Sequence, residues 1–398
     1  MATIRGTSGN DRLTGQSGDD HVYGLDGADS FYWRGNLGND NYYGGDRRDD
    51  YDANPYTPGN PGGDHLYLQG DVGARITLTT TENGYALIGD NRLDFNGIER
   101  ISGTTGNDVV MAGRAAANEE RDGVQVHGIS IFTGAGNDTV WGSRFDDVID
   151  GGAGNDHLAG GWGSDFFHSS EGNDRIWGDA GEDNIRWGNG DMEHNPGHDT
   201  INGGAGRDLI NLWIKRGDVW DDNEEVGIDG LTVKITSVNS QGSFTGHART
   251  DIGGDASVRF TNFELGWTHQ GNDVLDASDA TVSANGIGVD FNTRWGHDRL
   301  IGSVGNDTLD GSEGRDTIDA GRGDDDIWAG AEANGDGDLD VLIFRAGDGA
   351  DQVHGFDSGL DVLDLGGRGY SASETSTGTL LDFGNGDSIL LHGVYDFI

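Results

Sequence analysis

The sequence predicts an all-β fold, a right-handed parallel β-roll or β-helix solenoid with surface insertions. Three observations lead to this prediction. A nine-residue unit recurs along the chain, glycine supplies 73 of the 398 residues, and aspartate returns at one fixed place in the unit. Repeats of short period predict stacked coils in which each unit contacts only its neighbours.

The nonapeptide is clearest where GTSGNDRLT begins at Gly6, TGAGNDTVW at Thr133 and GSVGNDTLD at Gly302. Its first, second and fourth positions are mostly glycine, which tolerates positive φ and the close approach of carbonyl groups. Its sixth position is aspartate, a hard oxygen ligand of the kind that calcium prefers. The last three positions form a short strand with one apolar side chain pointing inward. We expect two units to make one coil, with calcium between the stacked turns.

The sixth-position aspartates, together with those of partial units, are therefore the candidate calcium ligands. They are Asp11, Asp20, Asp29, Asp40, Asp108, Asp138, Asp147, Asp156, Asp165, Asp174, Asp183, Asp199, Asp208, Asp273, Asp298, Asp307, Asp316 and Asp325.

Composition supports folding that depends on a cation. The formal net charge is −45 and only 33% of the residues are hydrophobic, values that are typical of disordered chains. The acidic residues nevertheless keep phase with glycine, which a flexible glycine-rich linker would not do. Without cysteine, a disulfide, a thiolate metal site or a cysteine nucleophile is excluded. No apolar run approaches the roughly 20 residues that span a bilayer, and the negative charge disfavours nucleic-acid binding.

These nonapeptides resemble the hemolysin-type, or RTX, calcium-binding repeats. The resemblance implies a parallel β-roll that binds several Ca²⁺ ions. The segment that begins LDVLIFRAGDGADQV at Leu339 resembles the capping and export segment of RTX proteins. The ending Asp396, Phe397 and Ile398 resembles the signal of type I secretion, and MATIRGTSGND at the start has no Sec-type features. We therefore expect a secreted protein, exported by a type I apparatus and folded by extracellular calcium.

The predicted organisation follows the density of repeats. It comprises an N-terminal roll (1–45), an insertion loop with wider coils (46–132), a central roll (133–211), wider strand coils (212–267), a C-terminal roll (268–338) and a capping and secretion segment (339–398). Proline-containing insertions at Asp46–His65 and Trp187–His198 are expected to project from one face. Such insertions either carry function or form simple surface loops.

Catalytic signatures are mostly missing, since neither H-E-x-x-H nor G-x-S-x-G occurs. RTX repeats also accompany alginate epimerases and polysaccharide lyases, whose chemistry needs a group that neutralises a carboxylate and a base that removes a C5 proton. The residues predicted for such catalysis are His168, Arg186, His194 and His198.

Aromatic and basic side chains on a sheet suit sugar stacking and carboxylate pairing. The predicted substrate-binding residues are Trp141, His157, Arg175, Trp177, Trp187, Asn211, Lys215, Trp267 and His269. The favoured function is a secreted calcium-binding roll that binds or acts on an acidic extracellular polysaccharide. The alternatives are a uronate lyase or C5-epimerase and a non-catalytic matrix protein or surface adhesin. An ice-binding array is disfavoured because the ninth-position residues vary too much.

Overall fold

A computed structural model describes residues 1–35, 38–45, 63–116, 128–169, 171–188, 196–213, 229–250, 256–330, 335–395 and 397. The chain divides into two compact units. The first comprises Met1–Ile185 and Gly197–Gly206, and the second comprises Arg186–Pro196 and Arg207–Ile398. Every regular element among the described residues is a strand. These residues include no helix that could cross a membrane.

Nineteen strands lie before residue 206. They are β1 (Thr3–Arg5), β2 (Arg12–Thr14), β3 (His21–Leu25), β4 (Ser30–Arg34), β5 (Asp40–Gly45), β6 (His65–Gln69), β7 (Arg75–Leu78), β8 (Gly84–Ile88), β9 (Asn91–Asn96), β10 (Arg100–Ser102), β11 (Val109–Met111), β12 (Ser130–Phe132), β13 (Thr139–Trp141), β14 (Val148–Asp150), β15 (His157–Trp162), β16 (Phe166–Ser169), β17 (Arg175–Ala180), β18 (Asn184–Trp187) and β19 (His198–Ala205).

The remaining strands follow in the second unit. They are β20 (Leu209–Leu212), β21 (Asp229–Val238), β22 (Phe244–Thr250), β23 (Ala256–Phe263), β24 (Leu265–Trp267), β25 (Asn272–Asp276), β26 (Thr281–Val282), β27 (Ile287–Asn292), β28 (Arg299–Ile301), β29 (Asn306–Asp310), β30 (Thr317–Asp319), β31 (Asp326–Trp328), β32 (Val341–Ile343), β33 (Ala350–His354), β34 (Val362–Asp364), β35 (Ser371–Glu374), β36 (Gly378–Gly384) and β37 (Asp387–His392).

Two nonapeptides make one coil, as the repeat predicts. In the first unit, β13, β15 and β17 pair in parallel with Thr139, His157 and Arg175 in register. The strands between them, β14 and β16, pair with each other on a second parallel sheet. Consecutive strands thus alternate between two sheets, and the predicted parallel β-roll is confirmed.

The core is a thin layer of apolar side chains, one from each short strand. Val140, Leu158 and Ile176 point inward from one sheet, while Ile149 and Phe167 point inward from the other, and all are buried. Burying such a side chain contributes about 1.5–3 kcal/mol. One apolar residue per nonapeptide gives a small hydrophobic core for a chain of this length. Interactions in the turns must therefore contribute much of the stability of the fold.

The segments predicted as wider coils contain antiparallel strands. In the first unit, β8 pairs antiparallel with both β7 and β9, whose outer edges continue the parallel sheet through β11 and β5. The second unit repeats the arrangement with β21, β22 and β23. A two-residue loop, Gly89-Asp90, joins β8 to β9, since Ile88 and Asn91 are partners. Glycine in a loop of this length favours a hairpin. The prediction of wider coils did not take this signal into account.

Hairpins also finish the second unit. Strand β36 pairs antiparallel with both β35 and β37, and β37 pairs in parallel with β33. This pairing covers an edge of the roll that would otherwise expose unpaired backbone groups.

Some predicted features lie outside the described residues. They are most of the 46–65 insertion, His194 and Lys215, and the terminal Asp396 and Ile398.

The turn glycines should be sensitive to a single methyl group. Gly172 has a φ of +133°, and a Cβ there would collide with the carbonyl of Gly154 in the preceding coil. We expect Gly172→Ala to lower the melting temperature in calcium, because the strained backbone alone costs about 1–3 kcal/mol. Gly113→Ala is the control, since a Cβ at Gly113 would have 3.5 Å to the nearest backbone oxygen. Equal melting temperatures for the two variants would contradict this packing.

Candidate metal centre

The turn aspartates join one coil to the next. The backbone N–H of Asp138 donates to Asp156 Oδ1 at 2.7 Å, and that of Asp156 donates to Asp174 Oδ1 at 2.9 Å. On the opposite edge, Asp147 N–H donates to Asp165 Oδ1 at 2.8 Å. Each carboxylate thus satisfies a buried backbone donor of the preceding coil through one oxygen. This leaves its second oxygen for another role.

That second oxygen has no hydrogen-bond partner in several turns. Within the part of the chain that the structure describes, Oδ2 of Asp156, Asp165, Asp316 and Asp325 is buried and accepts no hydrogen bond. The four residues are at most 1% exposed. An uncompensated carboxylate is among the most costly groups to bury. An ion is the natural partner for these oxygens.

Glycine brings further oxygens toward them. A Cβ on Gly178, the first residue of its unit, would collide with both Asp183 Oδ2 and the carbonyl oxygen of Gly203. A Cβ on Gly160 would collide with Asp165 Oδ2 and would lie 2.9 Å from the carbonyl oxygen of Gly178. Only glycine therefore leaves room for the carboxylate of one turn to approach a carbonyl of the next coil.

Burial disfavours the charged form of these groups. It raises the pKa of Asp156 to about 8 and, with the nearby Asp147 and Asp183 carboxylates adding repulsion, that of Asp165 to about 9. In the second unit, burial raises the pKa of Asp325 to about 8. A calcium-free roll must therefore hold protons on these carboxylates or lose stability at neutral pH.

Comparison with protein families agrees with the turn geometry. The model of the RTX calcium-binding nonapeptide repeat matches residues 3–32, 95–116, 132–167, 160–191, 195–212 and 293–334. The chain carries RTX calcium-binding repeats. Their cofactor is Ca²⁺, bound at several sites.

Other comparisons add little. Among solved structures, the extracellular lipase LipA from Serratia marcescens is similar at 14% identity and a TM-score of 0.17. The match covers 65% of this chain and 38% of the lipase chain, and a similarity this low indicates nothing about activity. No curated protein matches the sequence.

The RTX turns fit calcium through carboxylate and carbonyl oxygens together. Among the described residues, no group of three or more His, Cys, Asp or Glu side chains could hold a metal ion. Calcium takes six to eight oxygens, including backbone carbonyls. The unpartnered oxygen of Asp165, with the Gly178 carbonyl that Gly160 admits beside it, supplies donors of this type. In this role the ion neutralises carboxylates that burial leaves unsolvated.

Nearly all predicted ligands are buried at the turns, and only Asp11 is partly exposed. Sequence analysis missed acidic residues that extend the same ladders. Asp316 N–H donates to Asp340 Oδ1 at 2.8 Å, and Asp325 N–H donates to Asp351 Oδ1 at 3.1 Å. In the same way, Asp208 N–H donates to Glu264 Oε2 at 2.7 Å. For Glu264 the signal was the step from Phe263 to Glu264 before the repeat at Thr268, where glutamate takes the place of aspartate.

Four of the predicted substrate-binding residues lie on one sheet of the first unit. Trp141 and Trp177 occupy equivalent positions on β13 and β17, as His157 and Arg175 do on β15 and β17. Arg175 Nη1 lies 3.4 Å from His157 Nε2. These two residues and His198, which was predicted to be catalytic, line a depression of about 340 Å³.

Other predicted residues are placed unfavourably for a substrate. The ring of Trp187 is fully buried, so its assignment to substrate stacking is wrong. His269 is also buried, with its ring stacked 4.1 Å from that of Trp213. Core packing explains both positions.

His168 and Arg186, both predicted to be catalytic, are held in contacts with neighbouring side chains. His168 Nδ1 faces Asp150 Oδ2 at 3.3 Å, and its buried Nε2 has no partner among the described residues. Arg186 lies over the Trp213 ring at 3.3 Å. Asn211 is in register with Trp267 on the neighbouring strand.

Removing one ladder aspartate should disturb only its own neighbourhood. We expect Asp156→Ala to reduce the number of bound calcium ions and to leave the Asp138 N–H unsatisfied, a cost of about 1–3 kcal/mol. Hydrogen exchange should show lost protection in the coils that carry residues 138, 156 and 174. Glu182→Ala removes an exposed turn carboxylate and is the control. Global unfolding of Asp156→Ala in saturating calcium would contradict a solenoid of neighbouring contacts.

The calcium-free chain should become more stable as the pH falls. Among its turn carboxylates, Asp156 has a folded-state pKa of about 8 and Asp165 one of about 9, against roughly 3.9 when unfolded. A raised pKa contributes stability that is complete below the unfolded value and is lost as the pH rises through the folded one. Urea unfolding of metal-stripped protein should therefore give a larger free energy of unfolding at pH 5 than at pH 9.

Saturating calcium should remove or reverse this dependence, because the ion binds the deprotonated carboxylate. Greater stability of the metal-free chain at pH 9 than at pH 5 would show that the turn carboxylates are not buried in the calcium-free fold.

Proposed function

We propose that this calcium-stabilised roll is secreted and binds acidic polysaccharides on the outward face of the sheet formed by β13, β15, β17 and β19. The observation that carries the proposal is the depression lined by His157, Arg175 and His198. It places basic and polar groups on the surface of a strongly acidic chain. Asn155, Asn173 and Thr200 add hydrogen-bonding groups to its lining, which also includes the turn aspartate Asp174.

The groups around the depression suit a uronate. A guanidinium pairs with a carboxylate through two parallel hydrogen bonds, and Arg175 lies at the surface. The Trp177 ring lies beside His157, with ring centroids 6.2 Å apart, and the Trp141 side chain is 49% exposed. Aromatic rings of this kind provide apolar faces for sugar rings, while the amide side chains can bind hydroxyl groups.

The repeat spacing suits a polymer. Adjacent strands of a sheet lie about 4.8 Å apart, so outward side chains of successive coils form a row along the roll. Thr139, His157, Arg175 and Thr200 are in register along this row. A linear glycan can therefore contact several coils at once, which strengthens binding without any single strong contact.

Secretion follows from the chemistry of the turns. Carboxylates that burial leaves unsolvated need millimolar calcium, which is found outside cells. A chain of net charge −45 without bound calcium repels itself and remains open enough for export. Recovery of the folded chain from the culture medium, rather than from the cytosol, tests this part of the proposal.

Cleavage is the alternative to binding, since His157 and His198 in the same depression are side chains of the type that acts as a base. A lyase or C5-epimerase needs a base that can reach the C5 proton. Incubation with alginate and polygalacturonate distinguishes these functions, since a lyase product gains ultraviolet absorbance through its new double bond.

Arg175→Ala and Trp177→Ala should weaken binding of alginate or polygalacturonate in millimolar calcium. Loss of a charge-assisted hydrogen bond costs about 1.5–3 kcal/mol, which corresponds to about 10-fold or more in Kd. Isothermal titration measures the change, and circular dichroism shows whether the variants remain folded.

Arg299→Ala is the matched control, because Arg299 is an exposed arginine at the same position of a nonapeptide. Wild-type protein that binds neither polymer, or an equal loss in Arg299→Ala, would refute this binding site.

A further inference from the structure

Two conformations of the RTX turns are distinguished by glycine geometry. In open turns, the second and fourth positions both have positive φ, as at Gly152 (+74°) and Gly154 (+143°), or Gly321 (+95°) and Gly323 (+145°). The sixth-position aspartates of these turns, Asp156 and Asp325, keep the unpartnered Oδ2 described above.

Closed turns carry serine or threonine at the second position, without a left-handed φ. Ser303 donates its N–H to Asp307 Oδ2 at 2.6 Å and its hydroxyl to Asp307 Oδ1 at 2.8 Å. The Gly305 N–H donates to the same hydroxyl at 3.0 Å. Thr104 closes on Asp108 in the same way, with distances of 2.7 and 2.9 Å.

The closed geometry recurs in two further turns. Ser143 donates its N–H to Asp147 Oδ2 and its hydroxyl to Oδ1, whereas Thr7 donates both groups to Asp11 Oδ2. The Ser143 turn has Phe145 rather than glycine at its fourth position. Phenylalanine is tolerated there because the closed turn needs no positive φ at this position.

A serine at the second position is not enough to close a turn. Ser312 has a φ of +62°, and its hydroxyl donates to Asp310 Oδ1 at 2.9 Å. Asp316, the sixth residue of that turn, keeps a buried Oδ2 without a partner among the described residues. The conformation of the turn therefore decides which oxygens remain available.

Three closed turns begin new runs of stacked repeats. In an inner turn, the donor to the aspartate Oδ1 is the backbone of another turn aspartate. For Asp108, Asp147 and Asp307 the donors are instead the N–H groups of Ala74, Ile129 and Val289. At these three turns the preceding coil places an apolar residue where an inner turn has an aspartate. An ion between the two turns would therefore lack the carboxylate ligand of the preceding coil.

We propose that the closed turns at Asp11, Asp108, Asp147 and Asp307 bind no calcium and that the open turns hold the ions. In a closed turn the N–H of the Ser or Thr occupies Oδ2, the carboxylate oxygen that an open turn leaves for calcium, as Ser303 N–H does on Asp307. The Ser or Thr supplies locally, through its N–H and its hydroxyl, what the cation supplies elsewhere, so these turns form without metal and cap the ladders that they begin. This assignment depends on calcium binding by the RTX repeats and is independent of the glycan proposal.

The test compares two aspartates of one ladder. The N–H of Asp307, in a closed turn, donates to Oδ1 of Asp325, in an open turn, at 2.9 Å. Full-length variants Asp307→Ala and Asp325→Ala are saturated with calcium, freed of unbound ion, and analysed for calcium per chain by native mass spectrometry. We expect Asp325→Ala to lose at least one ion and Asp307→Ala to lose none. Equal losses in the two variants would overturn the proposal.

Ser303→Gly provides an independent arm, which also serves if Asp307→Ala fails to fold. Glycine removes the closing hydroxyl and permits the positive φ of an open turn, so the variant should gain one ion at saturation. Ser312→Gly is its control and should keep the wild-type count, since that turn is already open. An unchanged or lower count in Ser303→Gly would overturn the assignment, as would an equal gain in both variants.

Discussion

The fold depends on one bidentate use of aspartate. One carboxylate oxygen accepts the backbone N–H of the preceding coil, as Asp156 does from Asp138. The other is left for a calcium ion or, in the closed turns, accepts the backbone N–H of the serine or threonine, as Asp307 Oδ2 does from Ser303. This single side chain therefore sets the register between coils, satisfies a buried donor and binds the ligand that permits its own burial. The thin apolar core between the sheets is sufficient only because the two edges are held in this way.

Much of this architecture could be predicted from the sequence, because the nonapeptide couples local geometry to stacking. Glycine at fixed positions, aspartate at the sixth and one apolar residue per strand predict a coil of two units. The register of Thr139, His157 and Arg175 matches that expectation. The outward positions of Trp141 and Trp177 follow from the same periodicity. The calcium cofactor was likewise predictable, since the turns offer only oxygen ligands.

The features that could not be predicted depend on contacts between coils, which the sequence of a single repeat does not encode. The turns GSVGND and GSEGRD have the same first two residues, yet Ser303 closes on its aspartate whereas Ser312 takes a positive φ. What differs is the preceding coil, which supplies Val289 N–H in one case and Asp298 N–H in the other. Similarly, Trp187 adjoins an irregular segment, and the repeat alone did not indicate that its ring is fully buried. The antiparallel meanders arise from loop chemistry outside the repeat.

Because every ladder bond points the same way, each run of repeats has chemically different ends. Its first turn offers a carboxylate that needs a donor, which Val289 supplies to Asp307. Its last turn offers an N–H that needs an acceptor, which Asp351 supplies to Asp325. A run of coils is thus directional, like an α-helix. Two such runs can therefore be joined only with the last turn of one next to the first turn of the other. A joint between two first turns would place carboxylate beside carboxylate. Modular lengthening of the roll must respect that polarity.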